Sequence, residues 1–194
     1  MSGAAVVSVR PAHEDDLEAI RGIVNWAIEN THYNFNTEPQ SLAHWQAEWA
    51  AARGVYPWLV AESGEDDGGA VVGMAIASRY KGRCAYDWTA EVTVYVSHSH
   101  HRRGVGSALY RELLPTLEAQ GFHALIGVIA VPNPGSIALH ERFGFVNAGV
   151  TEQVGWKLGR WWGVGNWQKL LRDETHVPQA IVPFADLAAG RHGP

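Results

Sequence analysis

Between Arg102 and Ser107 the chain reads RRGVGS, two cations and two glycines placed where a strand gives way to a helix. Free backbone N–H groups in a helix's first turn, together with the helix dipole, favour an anion. Gly104 and Gly106 let the backbone approach closely, and Arg102 and Arg103 add charge. The turn is not a P-loop, which needs a Gly-Lys-Ser/Thr ending. Nor is it a dinucleotide fingerprint: the third glycine is missing and no βαβ unit opens the chain. The neighbouring HSHH run (His98–His101) has metal-ligand residue types but no further ligands nearby, so no metal is expected. Cys84 has no base close in sequence and reads as a small apolar filler.

The elements around this turn follow from periodicity. Val6–Arg10 alternates as a strand and stops at Pro11. A helix follows, with Leu17, Ile20, Val24, Ala27 and Ile28 on one face and three acids in its first turn. THYNFNTEPQ is loop, and a second helix runs from Ser41, its expected cap, to about Arg53. YPWLVAE and AVVGMAIASRY read as strands joined by the acidic turn SGEDDGG. Ala90–Val96 is the cleanest strand, with Glu91, Thr93 and Tyr95 on one face and Val92, Val94 and Val96 on the other. The helix after the glycine turn extends to about Gln120, and Pro115 is expected to kink it. The strand ALIGVIAV leads to a short helix capped by Asn133 with Pro134 at its first position. Val146–Val154 and about Trp161–Leu171 form two last strands. The expected class is α/β (mixed α+β), one mixed, mostly antiparallel sheet with helices on both faces. Residues 1–172 form the domain, and 173–194 a Pro-, Ala- and Gly-rich tail expected only to wrap the surface.

Composition narrows the function. A net charge of −5 disfavours a nucleic-acid partner. No apolar run reaches membrane-spanning length, the start lacks a signal-peptide layout, and a single cysteine fits a reducing cytoplasm. Nine tryptophans exceed the needs of one core, so part of GRWWGVGNW is expected to line a pocket or face a second subunit.

Arg-x-Gly-x-Gly after a strand, followed by Asn-x-x-Ser-x-x-Leu-His-Glu-x-x-Gly-Phe, resembles the GCN5-related N-acetyltransferases (GNAT), across about Val6–Leu171. YDWTAEVTVYVSHSHHRRGVGSALY, NFNTEPQ, EAQGF and GRWWGVGNWQ are similar to the branch that acetylates phosphinothricin, methionine sulfone and methionine sulfoximine. His101 departs from the Gln or Arg common in the family. The resemblance implies acetyl-CoA as cosubstrate, its pyrophosphate on the backbone of Arg102, Arg103, Gly104, Val105, Gly106 and Ser107. It implies that Val94, Tyr95 and Val96 offer edge groups to the pantetheine arm, alongside Asn133 and Ser136. Glu91 is then the base for the amine, directly or through a water, against the plainer reading of a strand-end carboxylate. His140, two turns after Asn133, stands where many relatives carry a Tyr as acid for the departing thiolate; its imidazole can do acid or base work there, or else it only orders the site. Lys81 and Arg83 would meet an acidic amino-acid substrate and Phe35 would wall it, the two cations otherwise being solvated turn charges. A homodimer is implied as well.

The function expected is acetyl transfer to the α-amine of a small amino-acid analogue, directly within a ternary complex. Rival readings are acetylation of a peptide N-terminus or a polyamine, a non-catalytic acyl-CoA sensor, and a ligand-free dimer module.

Overall fold

The computed structural model describes residues 7–52, 54–64 and 69–190. Val6, Arg53 and most of the acidic turn lie outside them. The elements are β1 (Val7–Pro11), α1 (Leu17–Asn30), α2 (Leu42–Ala52), β2 (Trp58–Ser63), β3 (Val71–Arg79) and β4 (Thr89–Val96). They continue as α3 (Val105–Gln120), β5 (Ala124–Val131), α4 (Pro134–Arg142), β6 (Val146–Lys157), β7 (Arg160–Leu170) and α5 (Phe184–Gly190). A 3-10 turn at Glu14–Asp16 leads into α1.

The seven strands make one sheet in the order β1-β2-β3-β4-β5-β7-β6. Every neighbouring pair is antiparallel except β4 and β5. Alternation sorts side chains to two cores. On one face Val60 and Met74 join Leu17, Ile20, Val24 and Ile28 of α1 and Trp45 of α2. On the other, Leu59, Ala75 and Val92 meet Val105, Leu109, Leu113 and Leu117 of α3. The period-two split expected for β4 holds: Val92, Val94 and Val96 face the α3 core.

Local chemistry sets the helix ends. The Ser41 hydroxyl accepts from the His44 N–H and the Asn133 carboxamide oxygen accepts from the Ser136 N–H, so both expected caps form. α3 begins at Gly104 (φ +89°) and ends at Gly121 (φ +99°), left-handed positions that glycine adopts without strain. The helix runs through Pro115 as one element.

The tail does more than wrap the surface. Ile181 and Phe184 pack against the α3 core, and the buried Gln120 carboxamide donates to the carbonyls of both Val55 and Val182. Trp88 donates its indole N–H to the Gln179 carbonyl. Pro, Ala and Gly hid this anchoring, because its apolar residues are few and irregularly spaced.

α3 lies so close on β3 that a Cβ at Gly73 would stand 2.8 Å from Val105 Cγ1 and 3.2 Å from the Tyr95 carbonyl. Gly73→Ala is therefore expected to lose about 1–3 kcal/mol of stability through overpacking. Urea unfolding measures this, and an unchanged midpoint would mean the helix–sheet contact is looser than described.

Candidate active site

β4 and β5 pair in parallel only at Thr89–Glu91 against Ala124–Ile126. Beyond Glu91 the strands separate, because β4 continues along β3 to Val96 while β5 follows β7 to Val131. The β5-facing edge of β4 therefore has no ladder partner past Glu91, which leaves backbone groups for something else to bond.

A cleft opens on each side of this gap. The larger, about 900 Å³, lies on the α3 and α4 face. Val94, Tyr95 and Val96 line it, with Arg102, Gly104, Val105, Gly106 and Ser107 at one end and Asn133, Ser136 and His140 along the wall. The smaller, about 360 Å³, lies under α1, α2 and the loop between them, and holds Asn34, Phe35, Trp45, Glu48 and Glu91. Tyr33, Thr93, Tyr95, Val128 and Ala130 line both, so the clefts meet through the gap.

At the larger cleft, no side chain caps the start of α3, so its first-turn N–H groups and the dipole are left for an anion. Arg102 adopts a left-handed φ of +61° at this turn. A Cβ at Gly106 would come within 3.0 Å of Leu139 on α4, so the glycine permits the close passage of the two helices. Arg103 is exposed and is not part of the lining. The edge of β4 and the bare helix start are the donors that a phosphorylated, amide-bearing ligand such as acetyl-CoA requires, so the cleft fits that cosubstrate.

The HSHH residues each have their own partner. His98 stacks on Trp26 of α1 with ring centroids 4.3 Å apart, His100 bonds the Ser99 hydroxyl, and His101 bonds the Val96 carbonyl. Among the described residues no group of three or more His, Cys, Asp or Glu could hold a metal.

In the smaller cleft Glu91 is half-buried, and burial alone pushes its carboxyl above the usual value of 4.5. Burial also raises the Tyr95 phenol, whose oxygen accepts from the Asn34 carboxamide at 3.0 Å. The Phe35 ring lies over Gly155 of β6, where a Cβ would stand only 2.2 Å from it. Neither Lys81 nor Arg83 lines the cleft of its own chain. Both are exposed in the 80–88 segment, which folds back through a 3-10 turn at Cys84–Tyr86, and the Lys81 ammonium rests over the Tyr80 and Tyr86 rings. Asn34, Trp45 and Glu48 were missed in the sequence. Asn34 belongs to a loop recognised only as polar, and the residues of α2 have no strong amphipathic pattern to mark their inner side.

His140 is buried, and both its ring nitrogens are engaged. The Ser136 carbonyl, 2.8 Å away, can only accept, so Nδ1 carries the proton. Nε2 then accepts from the Tyr110 hydroxyl at 2.8 Å. Burial lowers the His140 value and raises that of Tyr110, which keeps both neutral. The ring fits because β5 has glycine opposite it: a Cβ at Gly127 would stand 2.4 Å from Nε2. An imidazole in this state has neither a free proton nor a free lone pair, which supports the ordering role among those expected of His140.

Comparison with known proteins places this geometry. The model of the acetyltransferase (GNAT) family matches residues 20–145. The phosphinothricin N-acetyltransferase of Streptomyces viridochromogenes is 47% identical over 163 residues, covering 84% of this chain and 87% of the relative. The L-methionine sulfoximine/L-methionine sulfone acetyltransferase of Pseudomonas paraeruginosa is 39% identical over 155 residues, covering 79% and 88%. Among solved structures, a GNAT superfamily phosphinothricin acetyltransferase from Sinorhizobium meliloti, in complex with acetyl-CoA, superposes with a TM-score of 0.84 at 33% identity, covering 89% and 93%.

The His140 environment sets a pH dependence. In the folded chain it titrates below 6.5, whereas the unfolded chain titrates at that ordinary value. Between the two the unfolded state binds more protons. Its contribution to stability is therefore complete above pH 6.5 and is lost as the pH falls toward the folded-state value. Denaturant unfolding at about pH 8 and about pH 5.5 is expected to show a larger acid-side loss for the native chain than for His140→Asn. Equal losses would mean that the imidazole is not held neutral.

Proposed function

Because this chain belongs to the acetyltransferase (GNAT) family and is an acetyl-CoA-dependent N-acetyltransferase, we propose that it acetylates the α-amine of a small amino-acid analogue of the phosphinothricin, methionine sulfone or methionine sulfoximine type. The observation that carries this reading is the meeting of two clefts across the β4–β5 gap, with Glu91 lining the smaller one beside it.

Acetyl-CoA supplies the acetyl group as a thioester. Arg102 and the backbone N–H groups of Gly104–Ser107 hold its pyrophosphate, and the free edge of Val94–Val96 bonds its amide-bearing arm, with Asn133 and Ser136 alongside. Glu91 takes the proton from the ammonium, directly or through one water. Its raised value brings it nearer neutrality and makes it a stronger base than a solvated glutamate. A β4 N–H stabilises the negative charge that develops on the acyl oxygen. His140, with both nitrogens bonded, orders the wall of the larger cleft together with Tyr110. The amine attacks the thioester carbonyl while both substrates are bound, with no acetyl-enzyme: the C–N bond forms, the C–S bond breaks, and coenzyme A leaves as the thiolate, which takes its proton from water.

One observation favours a second reading. The smaller cleft contains Glu48 and Glu91 but no Lys or Arg among its described lining. Two carboxylates without a cation suit a polyamine or another cationic amine better than an acceptor carrying its own carboxylate.

We also propose a homodimer in the cytoplasm. Val146, Val150, Val154, Trp156, Trp161 and Leu170 are exposed on the outer β6–β7 ribbon, an apolar surface that a second copy would cover. Cys84 is exposed and unpaired, which suits a reducing compartment. No helix among the described residues is long and apolar enough to cross a membrane.

Thiol release from acetyl-CoA against phosphinothricin, methionine sulfone, methionine sulfoximine, a polyamine and a short peptide tests the substrate. Release with the first three supports the main reading, release with the polyamine alone selects the second, and cosubstrate binding with no release at all defeats both. Glu91→Gln is expected to lower kcat by about 10²–10⁴-fold. It should also remove the acidic limb of the rate profile, which in the native enzyme lies above pH 4.5. The dimer is checked by sedimentation: Trp161→Glu is expected to shift the native species toward monomer, and a native chain already monomeric would remove the proposal.

A further inference from the structure

Lys157 closes β6 and is only 6% exposed. Its ammonium forms no salt bridge among the described residues, and its hydrogen bond goes to the backbone carbonyl of Asn34, 2.6 Å away and 123 positions earlier in the chain. Burying an ammonium against a single neutral acceptor is costly, and an aliphatic residue would fill the same space at less cost. Burial accordingly pulls its titration below the usual lysine range. The residue therefore does something that a filler does not.

Its partner shows what that is. The loop at 31–36 supplies Tyr33, Asn34, Phe35 and Asn36 to the smaller cleft. Three contacts in a row fasten it to the β6–β7 hairpin. The His32 ring stacks on Trp162 at 3.7 Å and almost parallel. Lys157 holds the Asn34 carbonyl, and the Phe35 ring sits on Gly155. With its carbonyl fixed, Asn34 presents its carboxamide to the Tyr95 hydroxyl on β4. Lys157 is itself held: Trp162 donates its indole N–H to the Lys157 carbonyl, and the Arg160 guanidinium lies 4.0 Å over the Trp162 ring.

We propose that Lys157 is a positioning residue for the acceptor side of the reaction, its ammonium fixing the Asn34 carbonyl so that the 31–36 loop walls the smaller cleft. This rests on the reading of that cleft as the amine site. The larger cleft takes only Tyr33 from this loop, so donor binding depends little on the staple.

The test compares the native enzyme with Lys157→Met, which keeps the length and loses the charge and donor, and Lys157→Arg, which keeps a cationic donor. For Lys157→Met the KM of the amine should rise about tenfold or more, while the KM of acetyl-CoA stays within about twofold and kcat falls little. Lys157→Arg should recover part of that loss. Hydrogen exchange supplies a readout independent of turnover: amides at 31–36 should exchange faster in Lys157→Met, with those of α3 unchanged. Equal rises in both KM values, faster exchange throughout the domain, or no change in either measurement would overturn the proposal. If the native enzyme acetylates no amine, the amine-site reading fails, and exchange at 31–36 alone decides whether Lys157 holds the loop.

Discussion

Everything in this site depends on three residue pairs. β4 and β5 share a ladder at Thr89–Glu91 and Ala124–Ile126 and then part, so the sheet is two sections, β1 to β4 and β5 with β7 and β6, joined along a short seam. Within each section neighbouring strands pair with one another, and past Glu91 the opened edge of β4 has no ladder partner. Aromatic packing at His140 lines the larger cleft beside the gap. The Tyr110, His140 and Phe145 rings lie 5.1–6.0 Å apart by centroid, and the imidazole enters only because Gly127 has no Cβ to exclude it. The two clefts meet where the seam ends.

The same dry surroundings set the protonation of the groups beside the gap. Desolvation is the first cause of the shifts at Glu91, Tyr95, Tyr110, His140 and Lys157. In each case it favours the neutral form: acids move up and bases move down. For Glu91 this strengthens the proposed base. For the Tyr110–His140 pair it keeps both groups neutral, and the Ser136 carbonyl then fixes the tautomer and the hydrogen-bond direction. A single property, poor access of water, thus has opposite uses on the two sides of the sheet.

Much of this was legible in the sequence, where local periodicity carried the information. The alternation of Ala90–Val96 placed Glu91, Thr93 and Tyr95 together, and all three line the smaller cleft. The glycine turn and the Asn133–Pro134 cap marked the helix starts that border the larger one. What stayed hidden depends on long-range placement. Nothing local says where the turn bearing Lys81 and Arg83 comes to lie, and in the fold both are exposed and neither lines the cleft of its own chain. Tyr110 reads as one more apolar position on a helix, and only the fold brings it to His140. The Lys157–Asn34 bond joins segments with no shared periodicity. The tryptophans divide by context: Trp45, Trp49 and Trp58 pack edge to face between α2 and β2, Trp162 braces His32, and Trp156 and Trp161 stand exposed on the outer ribbon.

The acidic lining of the smaller cleft bears on what happens after transfer. In the proposed amine site, an amine entering as a cation meets Glu48 and Glu91, whereas an amide nitrogen has no charge to offer them. Acetylation therefore cancels the feature that recruited the molecule and adds an acetyl group that must share the narrow space. On that reading the cleft distinguishes reactant from product by charge, so that transfer itself favours emptying of the site.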